Sequence, residues 1–173
     1  MKAWPTLLLL AASSCSPYPD SYPPPIQRGP ITDDEALGFR QSLAMNEPGA
    51  EAFFVRDIRA LEGGAWRWTG PRPTLRFVLR KTEGLRFSMD FSVAGITFEQ
   101  TGPVTVSVLI NGKLLGRQRY DTFGEYHFEK PVDPSWLKAG EDTIVEAVVE
   151  PPWVAPSDGT KLGVILSRAG FVE

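Results

Sequence analysis

From Phe53 onwards the chain is written with a period of two. In Leu85-Arg86-Phe87-Ser88-Met89-Asp90-Phe91-Ser92-Val93, five apolar residues alternate with four polar ones. That is the pattern of a strand with one buried and one wet face. Leu75, Phe77 and Leu79 alternate in the same way with Thr74, Arg76 and Arg80, and Val104, Val106, Val108 and Ile110 continue the theme. Asn111-Gly112 separates Val104–Ile110 from Lys113–Tyr120, and both turn residues tolerate the positive φ of a type I′ hairpin. Further strands are predicted near Phe53–Arg59, Ala65–Thr69, Glu125–Pro131, Asp142–Glu150 and Lys161–Val172. About eight or nine short strands, with turn signals between them, predict an all-β fold: an antiparallel jelly-roll-type β-sandwich over residues 50 to 173.

The N-terminal part lacks this period. Lys2, the apolar run Leu7 to Ala12 and the small residues after it have the layout of a secretory signal peptide over residues 1 to 14, too short to span a bilayer. Ala12-Ser13-Ser14-Cys15 resembles the lipobox of bacterial lipoproteins, whose cysteine is diacylated and becomes the new N-terminus; it departs from that pattern at Ala12, where leucine is usual. The resemblance implies a lipid anchor at Cys15 in a bacterial cell envelope, and Ser16 after the cysteine favours the outer membrane. An ordinary signal peptide cut at the same bond, leaving a free thiol, is the alternative. Residues 16 to 30 contain six prolines and almost no aliphatic side chains, so residues 15 to 31 are expected to be a disordered stalk. Extended at about 3.1 Å per residue, it would reach on the order of 45 Å. Thr32-Asp33-Asp34-Glu35 reads as a capping box opening a short helix through about Met45, within a linker segment of residues 32 to 49.

Composition narrows the chemistry. A chain of 173 residues supports one core, and 16 glycines with 16 prolines favour turns over long helices. The net charge of −3, without runs of like charge, gives no footprint for nucleic acid. The single cysteine excludes an intramolecular disulfide and a thiolate metal cluster. His127 is the only histidine and the alternation turns it outward; with no G-x-S-x-G elbow, a Ser-His-Asp hydrolase is unsupported. No cofactor is expected. A structural calcium lacks its usual loop, leaving Asp133 and Asp158 as weak candidate ligands. A glycosidase would need paired carboxylates in a cleft, and the protein is expected not to be an enzyme.

Val106-Ser107-Val108-Leu109-Ile110-Asn111-Gly112-Lys113, the stretch Asp133-Pro134-Ser135-Trp136-Leu137-Lys138-Ala139-Gly140-Glu141-Asp142-Thr143-Ile144 and the final Gly163-Val164-Ile165-Leu166-Ser167-Arg168 resemble galactose-binding-domain-like jelly rolls over residues 50 to 173. The resemblance implies a module that binds glycan, accompanies glycosidases or packs structurally. A fold does not choose among these. Trp66 and Trp68 share one side of their strand with Arg67 on the other, and serve either as core or as a platform for a sugar face. Trp153, in the proline-stiffened loop Glu150 to Gly159, is the leading platform candidate, with an apolar plug as its alternative. Arg67, Tyr120, Asp121 and Tyr126 could add hydrogen bonds to a ligand. The expectation is a non-catalytic envelope lipoprotein that binds a glycan or cell-envelope polymer. Its alternative is a protein-interaction module using outward apolar positions such as Val78 and Leu109.

Overall fold

The computed structural model describes residues 38 to 173. The signal peptide, Cys15, the stalk and the capping box of the sequence reading lie outside the described residues.

Among the described residues eleven strands follow one another: β1 (Ser42–Ala44), β2 (Phe54–Glu62), β3 (Trp66–Val78), β4 (Arg86–Val93), β5 (Val104–Ile110), β6 (Lys113–Tyr120), β7 (Gly124–Pro131), β8 (Asp142–Glu150), β9 (Trp153–Val154), β10 (Lys161–Leu162) and β11 (Ile165–Val172). One short helix, α1 (Gly95–Thr101), lies between β4 and β5. All pairings are antiparallel, in the order β6-β5-β8-β3-β11-β4-β7, with β2 added on β3, β1 on β11, and β9 and β10 forming a separate ribbon. The fold is therefore the expected antiparallel sandwich, nearly closed into a barrel.

β3 makes the corner. Its second half, Thr74 to Val78, pairs with β8, whereas Arg67 and Trp68 near its start pair with β11. Residues 70 to 73 between these halves belong to none of the ladders, which is why Pro71 and Pro73 are tolerated within a long strand. The strand predicted at Ala65–Thr69 and the alternation at Leu75, Phe77 and Leu79 are thus two parts of one strand. A change of partner removes the need for the prolines' missing N–H groups.

Alternate side chains fill the interior. Phe87, Met89, Phe91 and Val93 of β4 oppose Val104, Val106, Val108 and Ile110 of β5 and Val145, Ala147 and Val149 of β8, and all are buried. Phe171 joins the two halves, lying edge-on to Phe77 at 5.6 Å and to Phe87 at 5.5 Å. Each such phenylalanine contributes roughly 1.5–3 kcal/mol on burial, which makes this cluster the centre of the fold.

Two local predictions are corrected. Residues up to Met45 were expected to be helical, yet Ser42–Ala44 form a strand on β11 and Arg40 bridges to Val78. Leu43 and Met45, two apart, are both fully buried, so period two outweighs the helical spacing of Phe39 and Leu43. Gly170 permits the docking, because a Cβ there would lie 2.4 Å from the Ser42 Cα. The β domain thus begins before residue 50. The second difference is α1, which the sequence reading did not include. It is closed by Gly102, whose φ of 69° suits glycine and whose N–H bonds to the Phe98 carbonyl.

Candidate functional site

The polar positions of β4 and β7 face the same side of the sheet because their register pairs Asp90 with His127, Ser88 with Glu129 and Ser92 with Glu125. A chain of charges results. Arg86 Nε donates to Glu129 Oε1 at 2.6 Å, Glu129 Oε2 lies 3.2 Å from His127 Nε2, and His127 Nδ1 lies 2.6 Å from Asp90 Oδ1. The bond to Asp90, followed by that to Glu129, raises the His127 pKa, because both carboxylates favour the imidazolium form. Glu129 is held below its ordinary value by Arg86 first and His127 second. In that state both imidazole N–H groups donate to carboxylates.

Beside this chain lies an open cleft of about 350 Å³, lined by Asp90, Phe91, Ser92, Glu125, Tyr126, His127 and Ser167. The Ser167 hydroxyl donates to the Asp90 carbonyl at 3.2 Å. Among the described residues, Glu125 is exposed and has neither an ion-pair nor a hydrogen-bond partner.

Ladder register brings an aromatic group to the rim. Trp68 pairs with Ile165, Ile165 with Ser92 and Ser92 with Glu125, so these four residues form one row across four strands on a common face. Trp66, two positions from Trp68, shares that face. The indoles are half-buried and meet edge to face, with centroids 6.4 Å apart. Neither belongs to the buried core, so of the two roles left open the structure excludes full burial for both.

Arg67 and Tyr120 are corrected as ligand-facing groups. Arg67, only 5% exposed, turns inward at the strand position paired with Leu166. There Nε donates to the Met45 carbonyl at 2.8 Å, Nη1 to the Arg59 carbonyl at 3.2 Å and Nη2 to Glu51, and the guanidinium lies over the Phe54 ring. Tyr120, 3% exposed, packs against Phe91 and Tyr126. Burial, then the neighbouring Tyr126, pushes its phenol up to about 12. The polar character of both residues had suggested surface positions, but each sits at the inward phase of its strand.

The remaining candidates lie elsewhere. Asp121 is exposed and paired with Arg119 at 2.7 Å. Tyr126 donates its hydroxyl proton to the Thr122 carbonyl. Trp153 is half-buried beside a shallow depression lined by Gln100, Thr101, Pro151, Pro152 and Val154, and its indole N–H donates to Gln100 at 2.8 Å. Asp133 caps a turn by accepting from the Ser135 N–H, and Asp158 accepts from the backbone N–H and hydroxyl of Thr160. The Ser135 side chain, then its N–H, hold the Asp133 carboxyl below its usual range, and the Thr160 N–H, then its hydroxyl, do the same for Asp158. Among the described residues, no three acidic, histidine or cysteine side chains converge in a way that could hold a metal ion.

The cleft itself is not legible in the sequence. Its signal is present only as the outward positions Ser88, Asp90 and Ser92 in one strand and Glu125, His127 and Glu129 in another. What brings them together is the pairing of those two strands.

No protein-family model matches the chain, and no curated protein matches it. Among solved structures, an acetyl xylan esterase from the rumen bacterium Butyrivibrio proteoclasticus is similar over 78% of this chain and 32% of its own, with 13% identity and a TM-score of 0.47. An exo-β-1,3-galactanase from Phanerochaete chrysosporium is similar over 78% and 29%, with 13% identity and a TM-score of 0.40. A cycloalternan-forming enzyme from Listeria monocytogenes follows at 69% and 10%, with 14% identity and a TM-score of 0.35. The chain spans about a third or less of each of these proteins.

Proposed function

We propose that the protein is a non-catalytic binder of a glycan or cell-envelope polymer, held at a bacterial membrane through acylated Cys15. The observation that carries the binding reading is the row Trp68–Ile165–Ser92–Glu125 beside the Asp90–His127 cleft. An indole offers an apolar face to the C–H side of a sugar ring, and adjacent carboxylates, imidazole and hydroxyls exchange hydrogen bonds with its hydroxyls. The binding rather than catalytic reading is supported by the engagement of both His127 nitrogens with carboxylates, which leaves the ring no free acceptor for a nucleophile's proton. Retention of the full chain on insoluble cell-envelope polysaccharides tests the site. Trp68→Ala is expected to lose retention and Trp153→Ala to keep it. The reverse result moves the site to the Trp153 depression, and no retention of the unaltered protein refutes glycan binding. Labelling with a radioactive fatty acid, lost in Cys15→Ser, tests the anchor; outer-membrane fractionation tests its location.

A second reading, protein docking, is favoured by one observation. Ile96 and Phe123 are 67% and 61% exposed at the α1 end of the domain, where Phe123 packs on Phe98. Val78 and Leu109, the positions the sequence suggested for this role, are half-buried instead.

A further inference from the structure

We infer that the ligand of the sheet face is an oligosaccharide lying across the strands, with a free ammonium on the sugar unit over Glu125, as in an N-deacetylated amino sugar. This rests on the glycan reading above and adds a direction, a length and a charge to it.

Direction and length come from the register. Trp68 to Glu125 covers three interstrand spacings, about 14 Å, along a line perpendicular to the strands. One sugar ring cannot touch both ends of that row. A short chain can, with one unit on the Trp68 indole and later units passing Ser92 and the cleft mouth.

Charge comes from the ionic groups on β4, β7 and β11 around the cleft. Arg86 is engaged by Glu129, and His127 by Asp90 and Glu129. Arg168 is the cross-strand neighbour of Asp90, yet it lines the adjoining depression with Ser42, Ser88, Gly170 and Val172 rather than the cleft. With Asp90 held by His127, the cleft therefore offers the unpartnered Glu125 carboxylate, and no unpaired cation lines it. An acidic sugar would meet the like charge of Glu125 there. An ammonium would meet a carboxylate acceptor, and charge-assisted bonds exceed neutral ones in strength. N-acetylation removes that charge and adds bulk at the same nitrogen.

The test is calorimetric titration of the full chain at pH 6 with a β-1,4-linked glucosamine trimer and with its fully N-acetylated counterpart. The amine trimer is expected to bind roughly five- to tenfold more tightly, with the advantage shrinking as salt is added. Glu125→Gln is expected to abolish the preference, so that the two trimers bind that variant equally, and Glu141→Gln, at a distant exposed carboxylate, to leave the preference intact. Equal affinities, or a preference that survives Glu125→Gln, overturn the charge assignment. If neither trimer binds but another polysaccharide is retained through Trp68, the inference falls and the glycan reading stands. If no polysaccharide is retained, both fall.

Discussion

Replacing Arg67 by Met separates scaffold from binding surface. Methionine keeps much of the aliphatic stem within the interior, so little cavity forms and the loss is chiefly polar. The Met45 and Arg59 carbonyls each lose an N–H donor. Orphaning the buried Met45 acceptor costs about 2 kcal/mol and the part-buried Arg59 acceptor about 1 kcal/mol, which sets the destabilisation at about 3 kcal/mol for the two. With a urea m-value of about 2 kcal/mol/M for a domain of this size, the unfolding midpoint should fall by about 1.5 M at constant m. Glu51→Gln provides the contrast. Glu51 is 62% exposed, and its carboxyl is held below the ordinary value first by its own backbone and then by Arg67. Solvent screens that pair, so the midpoint should barely move. Equal shifts for the two variants would mean that the ion pair carries the site rather than the buried carbonyl bonds. An unchanged midpoint in Arg67→Met would refute the scaffold assignment altogether.

Three further outcomes follow from local geometry. His127 has a folded pKa above its ordinary value of 6.5, so its stabilising contribution is full below that value and is lost as pH rises through the raised one. The melting-temperature advantage of the parent over His127→Gln should therefore shrink between mildly acidic and alkaline pH, and an advantage that grows with pH would contradict the carboxylate cage. The Tyr120 hydroxyl is buried without a hydrogen-bond partner among the described residues, so Tyr120→Phe should raise stability by about 1 kcal/mol in chemical denaturation. Asn111 holds a φ of 49°, donates to the Trp136 carbonyl at 2.8 Å and accepts from the Ile144 N–H at 2.9 Å. Asn111→Ala should cost about 2 kcal/mol in the same assay, from two lost bonds and a left-handed alanine.

The strands were legible wherever one face is dry and the other wet. Leu85 to Val93, the Asn111-Gly112 hairpin and Asp142 to Glu150 match strands β4, β5–β6 and β8 because alternating burial and a turn needing positive φ are both written locally. Ser42 to Ala44 failed because a three-residue strand gives too little alternation to displace a capping signal upstream. Its strand state depends on a cavity-free approach to Gly170, more than a hundred residues later. Arg67 failed for a related reason: arginine is so seldom buried that its inward phase in β3 was read as exposure, although the tryptophans on either side set that phase.

The site was the least legible part, and the cause is combinatorial. Each outward residue could be assigned from its own strand, as His127 was, but a site requires knowing which strands are neighbours. β4 and β7 are separated in sequence by a helix and a hairpin, while Trp68 reaches Ser92 only through β11, near the end of the chain. Shifting β11 by one residue on either neighbour would remove Ile165 from the row and turn Leu166 to the wet face. The buried Leu166, caught between Arg67 and Phe91 on the inner side, opposes such a slip. The dry face thus fixes the alignment of the wet one. An apolar-to-polar change at Leu166 should accordingly disturb the cleft without touching any residue that lines it.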